Sequence, residues 1–190
     1  MKPAYRQETE DIEAAGKLWA RPVLEALLKG TLARVDGRAF QFKDGDYQVV
    51  DYETGRARSL ELKCRGLGGW HEDAPVLLER GHDKDVVPGW AMTSKSQLLA
   101  YAWEDTRGVL VLDAQKVLAW YRSELRRRPQ PRFIVRRREP RLNARQPNQT
   151  VFDCVTLDDV QPFIIAVDLG LARPAPQITA PPPAQPRLFG

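Results

Sequence analysis

Apolar and polar positions follow two rhythms along this chain, and the change between them falls at Thr31. Upstream, Ile12, Ala15, Leu18 and Trp19 recur at helical spacing, and Val23, Leu24, Leu27 and Leu28 repeat it, predicting a helix over residues 8–29. Pro22 lacks an amide N–H and crowds the preceding turn, so a break or restart is expected there. Gly30 is the expected C-terminal stop. From Thr31 the runs shorten to strand length: residues 32–35, 39–42, 47–52 and 57–62. Asp36-Gly37, Lys43-Asp44-Gly45 and Glu53-Thr54-Gly55-Arg56 separate them as turns. The last of these folds residues 46–51 and 56–63 into a hairpin.

Gly66-Leu67-Gly68-Gly69 reads as a loop, residues 75–79 as a strand and residues 80–88 as a polar loop. Thr93 or Ser94 is placed to cap a helix over 95–104 carrying Leu98, Leu99 and Ala102, ended by Arg107-Gly108. Val109-Leu110-Val111-Leu112 has the unbroken apolar character of a strand buried on both faces. Asp113 then caps a helix to about Arg126 with Val117, Leu118, Tyr121 and Leu125 inward. Residues 133–135 and 151–155 are strands, and 157–166 a short helix broken around Pro162. This order predicts an α/β fold, a mixed β-sheet flanked by helices, over residues 1–171. Residues 172–186 hold six prolines and little that can pack, so 172–190 is expected to be a disordered, Pro-rich C-terminal tail.

With 190 residues, 43% of them hydrophobic, the chain can build one substantial core. No apolar run approaches the roughly 20 residues of a membrane span, and the first residues do not read as a signal peptide. Cys64 and Cys154 stand in separate segments and make no disulfide framework, which favours a cytoplasmic protein, bacterial or in a phage-infected host. Charge changes the picture more. Between Arg122 and Arg145 there are ten Arg against two Glu, while the whole chain carries only +4. Guanidinium groups match phosphate oxygens, so this stretch is a candidate polyanion footprint with DNA as the expected partner. A solvated helix end followed by an edge strand would have the same composition.

The candidate chemistry lies in Glu61-Leu62-Lys63-Cys64-Arg65. On a strand, Glu61, Lys63 and Arg65 share one face, and Leu60, Leu62 and Cys64 share the other. If the hairpin turn centres between Thr54 and Gly55, Asp46 faces Lys63 and Gln48 faces Glu61, all on one side of the ribbon. Asp51 falls on the opposite face nearer the turn, and a one-residue slip would exchange the two aspartates. Two carboxylates and an amine suit hydrolysis of a phosphodiester with Mg²⁺, which prefers oxygen ligands. Lys63 would orient or deprotonate the attacking water, or neutralise charge on phosphorus. A plain Asp46–Lys63 salt bridge is the structural alternative.

Asp46, fourteen intervening residues, then Glu61-Leu62-Lys63 resembles the signature of the PD-(D/E)XK nuclease superfamily. In that superfamily the Asp sits on the second core strand and the E-x-K on the third, often with an acidic residue on a preceding helix. The resemblance implies a restriction-endonuclease-like fold and a Mg²⁺ site, with Mn²⁺ as substitute, at Asp46, Glu61 and Leu62. It implies Lys63 as the catalytic amine and Glu13 as the helical acid, with Glu10 behind it. Residues 88–101, Pro-Gly-Trp through Gln97-Leu98-Leu99-Ala100-Tyr101, also resemble small phage and bacterial members, in which a Gly-Trp segment precedes a helix. Here Gln97 stands near where an acid is expected. A second match, Val50-Asp51-Tyr52-Glu53-Thr54-Gly55 with Asp36 upstream, resembles the RecB-type turn, but Glu53 replaces the Lys that chemistry needs.

Arg65, Lys95, Gln97, Arg126, Arg127, Arg128, Arg136, Arg137 and Arg138 are the expected nucleic-acid contacts, Lys95 and Gln97 through a helix start. Trp70 and Trp90 are candidates for stacking on bases, although core packing is the commoner role of such residues. Glu79, on the strand after the motif strand, either faces the metal or pairs with the neighbours of Arg80, and His71 and His82 read as loop residues. The terminal Gln185-Pro186-Arg187-Leu188-Phe189 resembles the peptide by which bacterial proteins dock on the replication sliding clamp, with Gln185, Leu188 and Phe189 as its anchors. The expected function is a metal-dependent DNA nuclease of replication, repair or recombination. The alternatives are a non-cleaving nucleic-acid-binding protein of the same fold and a clamp-interacting accessory protein.

Overall fold

The computed structural model describes residues 4–35, 45–65, 76–82, 87–127, 134–137 and 150–170. Helix α1 (Ala4–Leu28) leads into a meander of three strands, β1 (Gly30–Arg34), β2 (Tyr47–Asp51) and β3 (Ala57–Arg65). The chain then forms β4 (Val76–His82), β5 (Val87–Pro88) and the single turn α2 (Trp90–Thr93). It returns as β6 (Leu98–Trp103) and β7 (Gly108–Asp113), followed by α3 (Ala114–Arg127), β8 (Ile134–Arg137) and β9 (Thr150–Val155). A last turn of helix, α4 (Leu157–Val160), passes through a 3₁₀ turn into β10 (Ile164–Asp168).

These strands make two sheets. The larger runs β1-β2-β3-β6-β7-β10 and the smaller β5-β4-β9-β8. Every pairing is antiparallel except β3 with β6. A parallel return needs a crossover, and here the crossover carries β4, β5 and α2 out into the second sheet. The α/β class expected from the sequence is therefore present, with a mostly antiparallel main sheet flanked by helices.

Each face of the main sheet has its own core. On one, Ala20, Leu24 and Leu28 of α1 cover Leu32, Val49, Leu60, Leu62, Ala100 and Val111. The row is spaced by four, so it lies on one ridge of the helix. Gly16 continues that ridge, and a Cβ there would stand 2.6 Å from the Cβ of Cys64, so its missing side chain sets how closely α1 approaches β3. On the other face Leu99, Tyr101, Trp103, Leu110 and Leu112 pack with Val117, Leu118 and Tyr121 of α3 and with Val76 and Leu78 of β4.

Four sequence expectations need correction. α1 runs through Pro22 without a break. Pro22 is exposed, and the carbonyl it leaves without a donor belongs to Leu18, 79% exposed, where water can take that role. The left-handed residue ending α1 is Lys29 (φ 48°), and Gly30 already belongs to β1. Residues 98–103 are a strand, not part of a helix over 95–104. All six side chains are buried, in a central strand covered on both faces, and a short apolar run does not reveal which element it forms. Residues 164–168 are strand β10 rather than the end of a helix, paired with β7 through an irregular register. The expected strand at 39–42, loop 66–69, Trp70, His71 and tail 172–190 lie outside the described residues, as does the side chain of His82.

Candidate active site

The hairpin places the acidic and basic groups. Its observed register pairs Tyr47 with Leu60 and Gln48 with Ser59, and its turn spans residues 52–55 between Asp51 and Arg56. Relative to the expected pairing this is a shift of two residues, because the turn centres one residue earlier. A shift of two preserves the face of every side chain. Asp46, one step beyond Tyr47, thus lies opposite Glu61 rather than Lys63, and Gln48 opposite Ser59 rather than Glu61.

At this open end the backbone ladder is replaced by a side chain. Gly45 adopts φ 82°, with Leu60 O only 2.5 Å from where a Cβ would stand. That turn lets the Asp46 carboxylate accept a hydrogen bond from Leu62 N at 3.1 Å through Oδ2. One oxygen of Asp46 is thereby fixed against the strand that carries Glu61 and Lys63. Asp51, the alternative aspartate, is committed elsewhere. Its Oδ1 accepts from Glu53 N (3.0 Å), Thr54 N (2.8 Å) and Thr54 Oγ1 (2.9 Å), and these bonds hold its carboxyl below the usual range. The RecB-like Asp-Tyr-Glu-Thr-Gly stretch is the hairpin turn itself.

Glu61 and Lys63 form an ion pair, Nζ to Oε1 at 2.5 Å, with side chains 14% and 23% exposed respectively. The pair runs along one strand rather than across two. Burial pushes the Glu61 carboxyl above its ordinary value, Lys63 pulls it down, and the Asp46 carboxylate adds to the rise. The Lys63 ammonium also sits over the Trp90 ring, 4.8 Å from its centre. Arg65, two residues on, lies 5.8 Å from the centres of both Tyr101 and Phe152 and donates to Leu77 O at 3.5 Å.

These groups open on a cavity of about 180 Å³ lined by Asp46, Lys63, Arg65, Glu79, Trp90 and Phe152, and reached from α1 by Lys17. Five elements of the fold meet around it. Glu79 of β4 lines the cavity. Beside it the β4–β9 ladder is irregular between Glu79 and Gly81, a kind of break that re-aims side chains. Lys17 and Phe152 escaped the sequence reading. Nothing in their local patterns marks them, and only the packing of α1 and of the second sheet brings them in.

The remaining expected site residues divide. Lys95 is exposed in a loop. Gln97 exchanges hydrogen bonds with Ser59, accepting from its N at 3.1 Å and donating its own N to Ser59 Oγ at 3.0 Å, so it fastens the start of β6 rather than a helix start. Arg126 and Arg127 are exposed at the C-terminus of α3. Arg122, from the same basic stretch, is structural: it donates to Ala91 O and Ser94 O and ties α3 to α2. The side chains of Glu10, Glu13, Arg136 and Arg137, and all of Arg128, Arg138, Gln185, Leu188 and Phe189, lie outside the described residues.

Among the described residues no three His, Cys, Asp or Glu side chains converge tightly enough to form a metal cage. Asp46 and Glu61 remain as a pair of carboxylates, a donor set that suits a hard ion retaining several waters. No described helix is long and apolar enough to cross a membrane. Comparison of the chain with protein-family models, curated proteins and solved structures finds no match.

Proposed function

We propose that this chain is a metal-dependent nuclease that hydrolyses phosphodiester bonds in DNA, with a restriction-endonuclease-like core of the PD-(D/E)XK kind. The observation that carries the reading is the meeting of Asp46 and Lys63 at one polar cavity, with Glu61 paired to Lys63 behind them, on the strands where the resemblance expects them. α1 precedes the meander, Asp46 stands at the start of the second strand, and Glu61-Leu62-Lys63 lies on the third.

Asp46 and Glu61 would hold Mg²⁺, or Mn²⁺ in its place, next to Leu62. The fit rests on the donor set, two carboxylates brought together at the open end of the hairpin: burial chiefly, and the Asp46 carboxylate in addition, raise the Glu61 carboxyl, and a cation would relieve both. When bound, the ion supplies a Lewis acid for the phosphoryl oxygen and a more acidic water. The protein supplies the rest. Leu62 N orients Asp46, Lys63 carries a positive charge to the phosphoryl group, and the Trp90 ring together with Glu61 fixes where that ammonium rests before DNA enters. Arg126 and Arg127 extend a basic surface towards the DNA backbone, and Glu13 is assigned as an accessory acid on α1. The terminal Gln185, Leu188 and Phe189 are assigned to docking on a sliding clamp.

The test is cleavage of supercoiled and linear DNA with Mg²⁺ or Mn²⁺, comparing the parent with Glu61→Gln and Lys63→Ala. Activity lost in both variants supports the reading, and a parent that cuts nothing overturns it. One observation favours a second reading, a protein that binds nucleic acid without cutting: Lys63 already neutralises Glu61. DNA binding by the parent without cleavage under either metal would select that reading.

A further inference from the structure

We infer that the cavity beside Asp46 receives one unstacked nucleotide, so that the substrate is a single strand or a frayed end rather than the interior of an intact duplex. The inference deepens the nucleic-acid reading above and rests on it. Three observations carry it.

The first is size and depth. The cavity of about 180 Å³ slightly exceeds the roughly 150 Å³ that suffices for a benzene ring, which puts one heterocyclic base within its range and a base pair outside it. The Lys63 side chain that lines it is only 23% exposed, so a group that reaches it must leave a duplex surface and enter. The second is the positive charge that two elements bring to the cavity. Lys17 comes from α1, whereas Lys63 and Arg65 leave β3 about 6.6 Å apart on one face. Cations from two elements around one narrow space suit a phosphate held among them, with the next phosphate of the same strand reaching the second β3 cation. The third is the aromatic lining. Trp90 presents its π face to the cavity, where Lys63 now rests on it, and Phe152 does the same for Arg65. A face that attracts a cation is also one on which a base stacks, without regard to sequence. When a phosphate draws Lys63 outwards, that face becomes the seat of the base.

The measurement is fluorescence anisotropy of the full chain in EDTA, with labelled oligothymidylate and with a hairpin-closed duplex as probes. The single strand is expected to bind more tightly. Trp90→Leu is expected to weaken it about tenfold, within what one stacked base contributes, and to leave the duplex unchanged. Trp90→Phe keeps a ring and should retain most of the affinity. Lys17→Ala should lower the salt slope for the single strand by about 0.7, the loss of one phosphate contact. Equal affinity for both probes, no binding of the single strand, or a Trp90→Leu effect shared by both probes would overturn the inference. A preference for single strands without any cleavage sinks the nuclease reading and leaves this one standing. Cleavage of closed duplex as fast as of single strands does the reverse.

Discussion

Replacing Glu61 by Gln separates a catalytic carboxylate from a structural ion pair, because the two roles give opposite signs in a stability measurement. The Glu61 side chain is 14% exposed, and burial outweighs the pull of Lys63, so its folded-state carboxyl lies above the ordinary 4.5. The folded protein therefore binds this proton more tightly than the unfolded chain does. Between 4.5 and the raised folded value, stability falls as pH rises, and above that value the ionised carboxylate keeps its full cost. The upward direction already includes the attraction of Lys63, so losing that attraction does not change the sign. Gln is a neutral copy of the protonated acid. Glu61→Gln should match the parent near pH 4 and exceed it at pH 7.5 by about 1 kcal/mol, the scale on which active-site residues trade stability for function. For a chain of this length that is about 2–4 °C in Tm. The assay is thermal unfolding at both pH values, with and without Mg²⁺. An ion at ten times its dissociation constant adds about 1.4 kcal/mol to the parent by mass action and nothing to a variant that has lost a ligand. A Glu61→Gln variant that melts below the parent at pH 7.5 would refute the reasoning, since Glu61 would then be one half of a stabilising salt bridge.

Other substitutions probe the scaffold. Asp46→Asn keeps an acceptor for Leu62 N and should leave stability nearly unchanged while abolishing cleavage, whereas Asp46→Ala orphans that N–H at about 1–3 kcal/mol, read from urea midpoints. Asp153, fully buried, accepts two-pronged bonds from Arg80 (2.6–3.0 Å) and one from Tyr121 Oη (2.5 Å). Asp153→Ala leaves Arg80 without its buried partner and should cost about 3–5 kcal/mol in the same assay. Gly16→Ala drives a methyl to 2.6 Å from the Cys64 Cβ and should cost about 1–3 kcal/mol in thermal unfolding, while lowering single-strand affinity because Lys17 moves with the helix.

The legible parts of this fold are those whose signals are local. Asp113 caps α3 as its position implies, its Oδ1 accepting a hydrogen bond from Lys116 N at 3.0 Å. The alternation of Leu60 and Leu62 with Glu61, Lys63 and Arg65 gives the correct faces of β3, and Gly55, at φ 65°, marks the turn. The register was harder to read, since a turn centred one residue away shifts pairing by two without disturbing any hydrophobic position. What the sequence hides is the central strand β6. Leu98–Trp103 is apolar throughout and carries no period. Only its burial between α1 and α3, in parallel pairing with β3, makes it a strand.

That parallel pairing also explains why the cavity exists. To return alongside β3, the chain must cross over, and it does so through β4, β5 and α2 rather than through one long helix. The excursion sets Glu79 and Trp90 against the face that carries Lys63, and β9 adds Phe152 through its pairing with β4. Arg80, Asp153 and Tyr121 join β4, β9 and α3 to one another. The carboxylates belong to the hairpin, but the aromatic wall belongs to the crossover, so the two halves of the site depend on different parts of the fold. Asp153→Ala, in conditions where the chain remains folded, should therefore loosen the Trp90 side of the cavity and lower single-strand affinity, while Asp46 keeps its bond to Leu62 N.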